Sequence, residues 1–343
     1  MEADMSPAIE IDGLSKTERS PAIEMLGLSK TYRPPARTPV HAVVHVTLSV
    51  PAGQVVGVLG PNAAGKTTLL KLIAGIVRPT AGNVQVQGHD VVRERALALR
   101  QLGVALEAGP RRRSQASVWE YLLRCGDRTD VGGLELKARA TQLLHELDLW
   151  ERRDDPLHTY SSTMQRKVAL ARALLADPPI VVFDEPTLAL DERSARAVQQ
   201  WIAHLAHERG KTVLLTTCQP FVASAICDRV VLLRQGRLVA DLPTAELRRL
   251  LRSTQYQIRV KGQLGSQWSE WFDGLTVLPA GGDETMLRGT IVDQAALHGL
   301  IGKVRDLALP LLAITREELS LDDVLDRLTE RAAQRIEGRC SRD

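Results

Sequence analysis

The sequence predicts an α/β protein with a mostly parallel sheet, followed by a smaller α+β unit. Apolar segments that read as strands alternate with a helical pattern between residues 180 and 217, and a β-α-β alternation is typical of a parallel sheet. A glycine-rich loop with a lysine separates an apolar run from a helix-like segment at residues 55–73. Residues 251–343 alternate differently, with several short strands, and this change indicates a second unit.

The composition is that of a globular protein outside the secretory route. The chain has 343 residues, 44% of them apolar and 25% charged, which predicts two or three structural units with a sizeable core. No run approaches the roughly 18 apolar residues of a membrane-spanning helix, and the N-terminus lacks a signal-peptide pattern. A net charge of +3 gives no argument for a nucleic-acid partner. The four cysteines, at positions 125, 218, 227 and 340, have no metal-ligand spacing and predict reduced thiols.

A duplication marks the N-terminus. Residues 6–17 recur at 20–31, with only the pair Ile11-Asp12 replaced by Met25-Leu26. Two copies of one strand-like segment cannot both begin the same sheet. The second copy runs directly into Tyr32, so we assign residues 20–250 to the first domain and residues 1–19 to a duplicated extension that we expect to be mobile.

The elements of the first domain follow from hydrophobic periodicity and from breaker residues. Strands are predicted at 41–50, 54–59, 180–183, 213–217 and 229–233, and helices at 67–76, 118–124, 134–149, 162–175 and 244–252, with another around 198–205. The run without strand signals indicates a helical subdomain at about 108–175.

The accessory unit, residues 251–343, has a looser pattern. Strands are predicted at 256–260, 275–279, 286–292 and 311–315, and helices at 266–272, 294–307 and 321–331. This order predicts a small α+β domain with a terminal helix.

The glycine-rich loop predicts a nucleotide triphosphate site. The order of strand, loop and helix satisfies the phosphate-loop pattern in its required context. In such a loop the backbone N–H groups and the positive end of the helix surround the phosphates, Lys66 reaches the outer phosphates, and the Thr67 hydroxyl can ligate Mg²⁺. The predicted contacts are Gly60, Pro61, Asn62, Ala63, Ala64, Gly65, Lys66, Thr67 and Thr68.

A second motif supplies two carboxylates. Residues 180–186 form an apolar strand that ends in Asp184, Glu185 and Pro186. Asp184 can hold Mg²⁺ through water, and Glu185 can orient or deprotonate the attacking water. The structural alternative is an ordinary strand with a polar carboxyl end.

With these motifs in this order, residues 20–245 resemble the ATP-binding subunits of ABC transporters. The supporting segments are Tyr32, the phosphate loop, Glu107, Tyr160-Ser161-Ser162-Thr163-Met164, Asp184-Glu185, Leu190-Asp191 and Thr216-Thr217-Cys218. The resemblance implies a P-loop NTPase: a RecA-like core with a helical subdomain and an antiparallel β subdomain. It implies ATP and Mg²⁺ as ligands, with Glu185 and Lys66 as catalytic residues.

The resemblance also implies roles for residues outside the two motifs. Tyr32 would stack on adenine, although an ordinary aromatic at a strand end is the alternative. Thr67, Glu107 and Asp184 would serve the metal. The signature segment, Ser161, Ser162, Thr163 and Met164, would contact the γ-phosphate held by the opposite subunit, so catalysis would require a dimer. Cys218 stands where the family has its switch histidine.

Several residues depart from the family pattern. Ser162, Thr163 and Ala63 replace glycines, and Glu107 replaces a glutamine, a change that we expect to be tolerated. If the loop needs φ > 0 at Ala63, its methyl costs about 1 kcal/mol. A thiol is a weak donor, and losing one preorganised donor typically costs about 10²–10³ in rate. We therefore expect nucleotide binding to survive and turnover to be reduced, unless a water or a neighbouring hydroxyl compensates.

Other polar clusters are less informative. His204 and His207 lie on one helix face and are expected to be solvated rather than to bind a metal. Residues 111–113, three arginines, form either a solvated basic loop or a contact with a partner or lipid headgroups. The C-terminal unit resembles, more loosely, the extension of ATPases of ABC-2 type exporters, with residues 319–325 as its closing stretch.

Three functions follow. The first is the ATP-binding subunit of an ABC-2 type exporter, peripheral at the cytoplasmic face of the cell membrane, a homodimer or heterodimer beneath separate transmembrane permease subunits. The alternative is a hydrolysis-poor subunit with a structural or regulatory role in an asymmetric complex. The third is an ABC ATPase acting on ribosomes or DNA, but the paired nucleotide domains and the long insertions of those proteins do not occur here.

Overall fold

The computed structural model describes residues 21–35, 38–106, 115–127, 131–252, 254–291, 294–317 and 321–327. The N-terminal repeat copy at 6–17, Glu107 and the arginines at 111–113 therefore lie outside the described residues. Within the described residues, no helix is long and apolar enough to cross a bilayer.

The elements in chain order are as follows. The strands are β1 (Ile23–Tyr32), β2 (Val40–Val50), β3 (Val55–Leu59), β4 (Ala81–Val86), β5 (His89–Asp90), β6 (Leu102–Ala105), β7 (Ile180–Asp184), β8 (Thr212–Thr217), β9 (Arg229–Arg234), β10 (Arg237–Pro243), β11 (Thr254–Lys261), β12 (Thr276–Pro279), β13 (Glu284–Ile291) and β14 (Leu311–Glu317). The helices are α1 (Lys66–Ile73), α2 (Arg95–Arg100), α3 (Val118–Gly126), α4 (Gly133–Glu146), α5 (Ser162–Leu174), α6 (Glu192–His207), α7 (Pro220–Ile226), α8 (Thr244–Arg252), α9 (Gln294–Asp306) and α10 (321–327).

The central sheet confirms the predicted mostly parallel architecture. Its strand order is β10-β9-β3-β8-β7-β6, and only β10 is antiparallel to its neighbour. Every residue of β3, β7 and β8 is buried. Strands covered on both faces read as continuous apolar runs rather than as alternating ones, which is why the sequence identifies all three.

A separate antiparallel sheet has the order β2-β1-β4-β5. The second copy of the N-terminal repeat forms β1, and its Ile23, Met25 and Leu28 side chains are fully buried. The β4-β5 hairpin was not predicted. Both strands are short; β4 mixes exposed with buried positions and both residues of β5 are half-buried, so they give a weak periodic signal.

The region between β6 and β7 contains no strand within its described residues and holds α3, α4 and α5, as the predicted helical subdomain requires. A capping box starts α3: the Ser117 hydroxyl accepts from the Glu120 N–H, and the Glu120 carboxylate accepts from the Ser117 N–H. The Ser161 hydroxyl likewise accepts from the Met164 N–H at the start of α5. Hydroxyl caps of this kind satisfy N–H groups that a helix leaves open. They fix where α3 and α5 begin.

The C-terminal unit is the predicted α+β structure. Its sheet, ordered β12-β13-β11-β14, is antiparallel and packs against α9 around a core of its own that includes Ile258, Phe272 and Leu287. The predicted helix at 266–272 is a 3₁₀ turn over Ser266–Ser269. The helix predicted at 321–331 is described over 321–327 and returns to the first unit, where Val324 and Leu325 are fully buried in the same cluster as Leu247.

Candidate functional site

The phosphate loop connects β3 to α1 and is locked in place by its glycines. Gly65 has φ 103°, and a Cβ there would lie 2.1 Å from the Ala42 carbonyl oxygen. A Cβ on Gly60 would lie 2.3 Å from the Leu233 carbonyl oxygen. Both positions therefore require glycine, because the loop packs directly against neighbouring backbone. The first turn of α1 has neither a side-chain cap nor an acidic residue, which leaves its N–H groups for an anion.

Ala63 adopts the left-handed conformation, with φ 63°. The loop therefore does need φ > 0 at this position, and the Ala63 methyl group costs about 1 kcal/mol relative to glycine. The loop keeps its shape nonetheless, because the Ala64 N–H donates to the Pro61 carbonyl at 3.2 Å and the Gly236 N–H donates to the Ala64 carbonyl at 2.8 Å.

Lys66 is buried at the start of α1, with 7% of its surface exposed. Its Nζ donates to the carbonyl oxygens of Gly60, at 2.7 Å, and Pro61, at 3.1 Å, and forms an ion pair with Glu185 Oε1 at 3.2 Å. The structure thus brings together the two residues predicted to be catalytic. These contacts hold the Lys66 ammonium beside the phosphate loop, where phosphate oxygens can compete with its present partners.

Asp184 and Glu185 end β7 at the carboxyl edge of the central sheet, and 3% and 7% of their surfaces are exposed. Parallel pairing aligns Asp184 with Thr216 of β8. The Thr216 hydroxyl donates to Asp184 Oδ1 at 2.6 Å and accepts from the Glu185 N–H at 3.0 Å. Thr216 was recognised as part of a motif but not as a site residue. Its role depends on strand register, which the sequence does not show.

The second carboxylate oxygen of Asp184 tests whether a metal fits this site. Oδ2 is buried and has no hydrogen-bond partner among the described residues. A buried, unpaired carboxylate oxygen is costly, and oxygen atoms are the ligands that Mg²⁺ prefers. The donor chemistry at Asp184 therefore fits Mg²⁺. Of the other predicted metal ligands, Thr67 lies in the first turn of α1, and Glu107 is outside the described residues.

The backbone of Glu185 is unusual. Its φ is 45°, in the left-handed region that residues other than glycine rarely occupy. Its carbonyl oxygen accepts from the Leu188 N–H at 3.1 Å and from the Arg166 guanidinium. Sequence reasoning missed Arg166, which lies 19 positions earlier and carries no motif signal of its own.

Cys218 follows β8 and is half-buried. Its backbone N–H donates to Glu185 Oε2 at 3.2 Å, so the structure places it beside the carboxylate predicted to act as the base. Burial first, and the neighbouring Glu185 charge second, raise the pKa of the Cys218 thiol. At neutral pH the position therefore carries an uncharged thiol, whereas the resemblance expects an imidazole.

Tyr32 ends β1 and is 37% exposed. The Lys30 ammonium lies 5.2 Å from its ring centroid and donates to the Arg78 carbonyl at 2.8 Å. The exposed ring surface leaves room for a stacking partner.

The signature segment lies at the start of α5. Ser161 and Ser162 are exposed, and Thr163 and Met164 are half-buried. The cap formed by the Ser161 hydroxyl, at 3.2 Å from the Met164 nitrogen, shapes the helix end. Further along α5, the Arg166 guanidinium donates to the Glu185 carbonyl oxygen.

His204 and His207 of α6 do not lie together on a metal site. His204 Nδ1 lies 3.0 Å from Glu208 Oε2, and His207 Nε2 lies 3.2 Å from Asp228 Oδ1. The described part of the chain contains no group of three or more His, Cys, Asp or Glu side chains arranged to hold a metal ion.

Comparisons with known proteins agree with this geometry. Residues 43–188 match the family described as ABC transporter, and residues 255–315 match a domain of unknown function. The daunorubicin/doxorubicin resistance ATP-binding protein DrrA of Streptomyces peucetius is 31% identical over 312 residues, which cover 85% of this chain and 92% of the relative. The linearmycin resistance ATP-binding protein LnrL of Bacillus subtilis is 30% identical, with 63% and 70% of the two chains covered.

Solved structures show the same architecture. An ATP-binding cassette solved as a dimer in a post-hydrolysis state, bound to ADP and Pi, superposes with a TM-score of 0.58 and 26% identity, covering 65% of this chain and 98% of its own. The match to DrrA extends over nearly the whole relative. The chain therefore belongs to the family of ABC transporter ATP-binding proteins, and it is an ATPase subunit of that family.

Proposed function

We propose that this chain energises an ABC-2 type exporter from the cytoplasmic face of the membrane. Two ATP-binding subunits, identical or different, would close on MgATP and drive outward transport through separate permease subunits. Two of the relatives are resistance ATP-binding proteins, which supports export as the direction of transport. We assign residues 20–250 to the nucleotide-binding domain and residues 251–343 to an accessory domain.

The observation that carries this proposal is the buried cluster of Lys66, Asp184, Glu185 and Thr216. At one edge of a parallel sheet, the cluster brings together a lysine that can bind phosphate, a carboxylate that can bind a metal and a second carboxylate that can orient water. Ligands of open α/β sheets bind outside the carboxyl ends of the strands. This is where the phosphate loop and the ends of β7 and β8 meet.

We assign the following roles to residues of this chain. The loop N–H groups and Lys66 bind the outer phosphates, because preorganised donors stabilise charge on transferring phosphoryl groups. Glu185 orients the attacking water and accepts its proton. Thr216 holds the Asp184 carboxylate next to the backbone N–H of Glu185. Tyr32 stacks on adenine, an interaction of about 1–3 kcal/mol for an aromatic side chain.

Magnesium fits the unpartnered Asp184 oxygen. Asp184, Thr67 and Glu107 would hold the ion, which supplies positive charge to the phosphate oxygens when bound. Among the described residues, the buried Asp184 Oδ2 has no hydrogen-bond partner.

A hydrolysis-poor subunit is the second candidate. The specific observation behind it is the uncharged Cys218 thiol beside Glu185, since a weak donor replaces the histidine expected there. In this case the chain binds ATP with the same residues but turns it over slowly by itself, and a second, different ATPase subunit supplies most of the activity.

The test is Glu185→Gln in the purified full chain, with Mg²⁺-dependent phosphate release and equilibrium ATP binding both measured. We expect turnover to fall about 10²–10⁴-fold, as for loss of a general base, while ATP binding persists. Glu192→Gln is the matched control, because Glu192 is exposed on α6 and pairs with Arg196. Robust turnover that is equal in Glu185→Gln and wild type would refute the proposed mechanism. Barely detectable turnover in both proteins, with ATP binding intact, would favour the hydrolysis-poor subunit.

A further inference from the structure

The helix α5 connects two functional regions. Its first turn is the signature segment, which the family resemblance directs at the nucleotide held by the second subunit. One turn later Arg166 extends to the end of β7 and donates a hydrogen bond from Nη1 to the Glu185 carbonyl oxygen. The signature segment and the arginine that contacts the Glu185 backbone therefore lie within six positions of one another at the start of one helix.

Glu185 needs such support. Its left-handed backbone, φ 45°, persists only where the surroundings determine it. Its N–H donates to Thr216 Oγ1 at 3.0 Å, and its carboxylate contacts Lys66 and the Cys218 N–H. These three contacts come from the phosphate loop and the central sheet. Arg166 adds a contact from the helical subdomain, through a charged donor, and hydrogen bonds from charged donors are stronger than neutral ones.

We propose that Arg166 is a positioning residue for Glu185 and that it couples the base of one nucleotide site to the occupancy of the other. The coupling rests on the proposed function, because it requires Glu185 as the base and the α5 N-terminus as part of the second subunit's site. When a nucleotide γ-phosphate draws the first turn of α5 toward it, Arg166 moves with the helix and sets the Glu185 backbone. Arg166 touches neither water nor phosphate.

A second arginine on α5 provides a matched control. Arg172 is half-buried like Arg166 and donates to the Tyr121 hydroxyl at 3.3 Å and to the Val104 carbonyl at 3.4 Å. Those partners belong to α3 and β6 and have no place in the proposed chemistry. Arg172→Met therefore removes a packed guanidinium from the same helix without releasing Glu185.

The experiment compares Arg166→Met, Arg166→Lys, Arg172→Met and Glu185→Gln with wild type in the full chain. For each variant the ATP Kd, kcat, KM, Hill coefficient for ATP and melting temperature are measured, with rates normalised to folded protein. We expect Arg166→Met to lower kcat about tenfold, to keep the ATP Kd within about twofold and to bring the Hill coefficient to 1. Arg166→Lys should recover part of kcat, since its ammonium can also donate to a carbonyl.

Arg172→Met should lower the melting temperature and leave kcat and the Hill coefficient at wild-type values. If Arg166→Met behaves like Arg172→Met, Arg166 is only structural and the inference is wrong. A wild-type Hill coefficient of 1 would overturn the coupling between sites. Failure of the proposed function is a separate result, because it appears as equal activity in Glu185→Gln and wild type.

Discussion

The buried cluster of Lys66, Asp184, Glu185 and Thr216, called the phosphate cluster below, and the signature segment at 161–164 are built in opposite ways, although we propose that both serve the same reaction. Lys66, Asp184 and Glu185 are each less than 10% exposed and are bound to one another or to Thr216. Ser161 and Ser162 are exposed. The first region is complete within one chain, so substitutions there should cost both stability and activity. We propose that the second is a surface for another subunit, so substitutions there should change kinetics while the fold persists.

The largest expected effect is that of Thr216→Val. This nearly isosteric change removes the donor to Asp184 Oδ1 and the acceptor of the Glu185 N–H, both buried. Leaving a buried polar group unpaired costs about 1–3 kcal/mol. Because two such groups lose their partner, we expect the free energy of unfolding to fall by about 2–6 kcal/mol, together with most of the ATPase activity. Urea denaturation and phosphate release measure the two losses.

Thr212→Val is the control for Thr216→Val. Thr212 is a buried residue of the same strand, and its hydroxyl accepts from the Gly53 N–H at 3.0 Å, away from the carboxylates. It should cost about 1–3 kcal/mol and leave the rate per folded molecule unchanged. If the two valine variants match in both stability and rate, the cluster is not held by Thr216.

Cys218→His should have the next largest effect, and it should affect rate rather than stability. The residue is half-buried at the rim of the cluster, and its own contact with Glu185 is through backbone, which the substitution keeps. Removal of a preorganised donor costs about 10²–10³ in kcat, so restoring one should raise kcat by about tenfold or more. Steady-state kinetics with melting curves check both parts.

Cys218→Ser separates donor strength from the shape of the imidazole, because a hydroxyl donates more strongly than a thiol but reaches less far than a ring. An intermediate rate supports the weak-donor explanation. If histidine leaves kcat unchanged, then water or a neighbouring hydroxyl already supplies the missing hydrogen bond.

The parts of the site that could be predicted from the sequence are those formed by contiguous residues. The phosphate loop and the carboxylates are contiguous motifs, so the sequence located Lys66, Asp184 and Glu185, and the all-buried strands β3, β7 and β8 were evident as apolar runs. The contacts of Thr216 and Arg166 join residues 19–32 positions apart. They depend on the register of β7 with β8 and on the packing of α5, and neither leaves a local pattern.

The contact between the C-terminal helix and the first unit also depends on tertiary packing and was not predicted from the sequence. The closing helix was predicted, but not its return to the first unit. Leu321, Val324 and Leu325 repeat at helical spacing, which predicts an apolar face without naming its partner. The structure packs that face into the core that contains Leu247, and Arg234 Nη1 forms an ion pair with Asp326 Oδ1 at 2.5 Å.

The smallest expected effect is that of Thr163→Gly. Glycine restores the residue expected there and removes a Cβ at the second position of α5, where it limits the approach of backbone N–H groups to phosphate. We expect kcat to rise about two- to threefold with no change in ATP binding by the monomer, because the segment acts on the other subunit's nucleotide. The stability cost should stay below about 1 kcal/mol, the usual limit for glycine in a helix.

Ser194→Gly in the first turn of α6 is the control, since it introduces a glycine at a comparable helix start that is capped by Asp191. It should lower the melting temperature slightly and leave kcat unchanged. If Thr163→Gly instead alters ATP binding by the isolated monomer, the signature segment contacts its own chain's nucleotide. The contrast between a self-contained phosphate cluster and an outward-facing signature would then be wrong, because both regions would belong to one site.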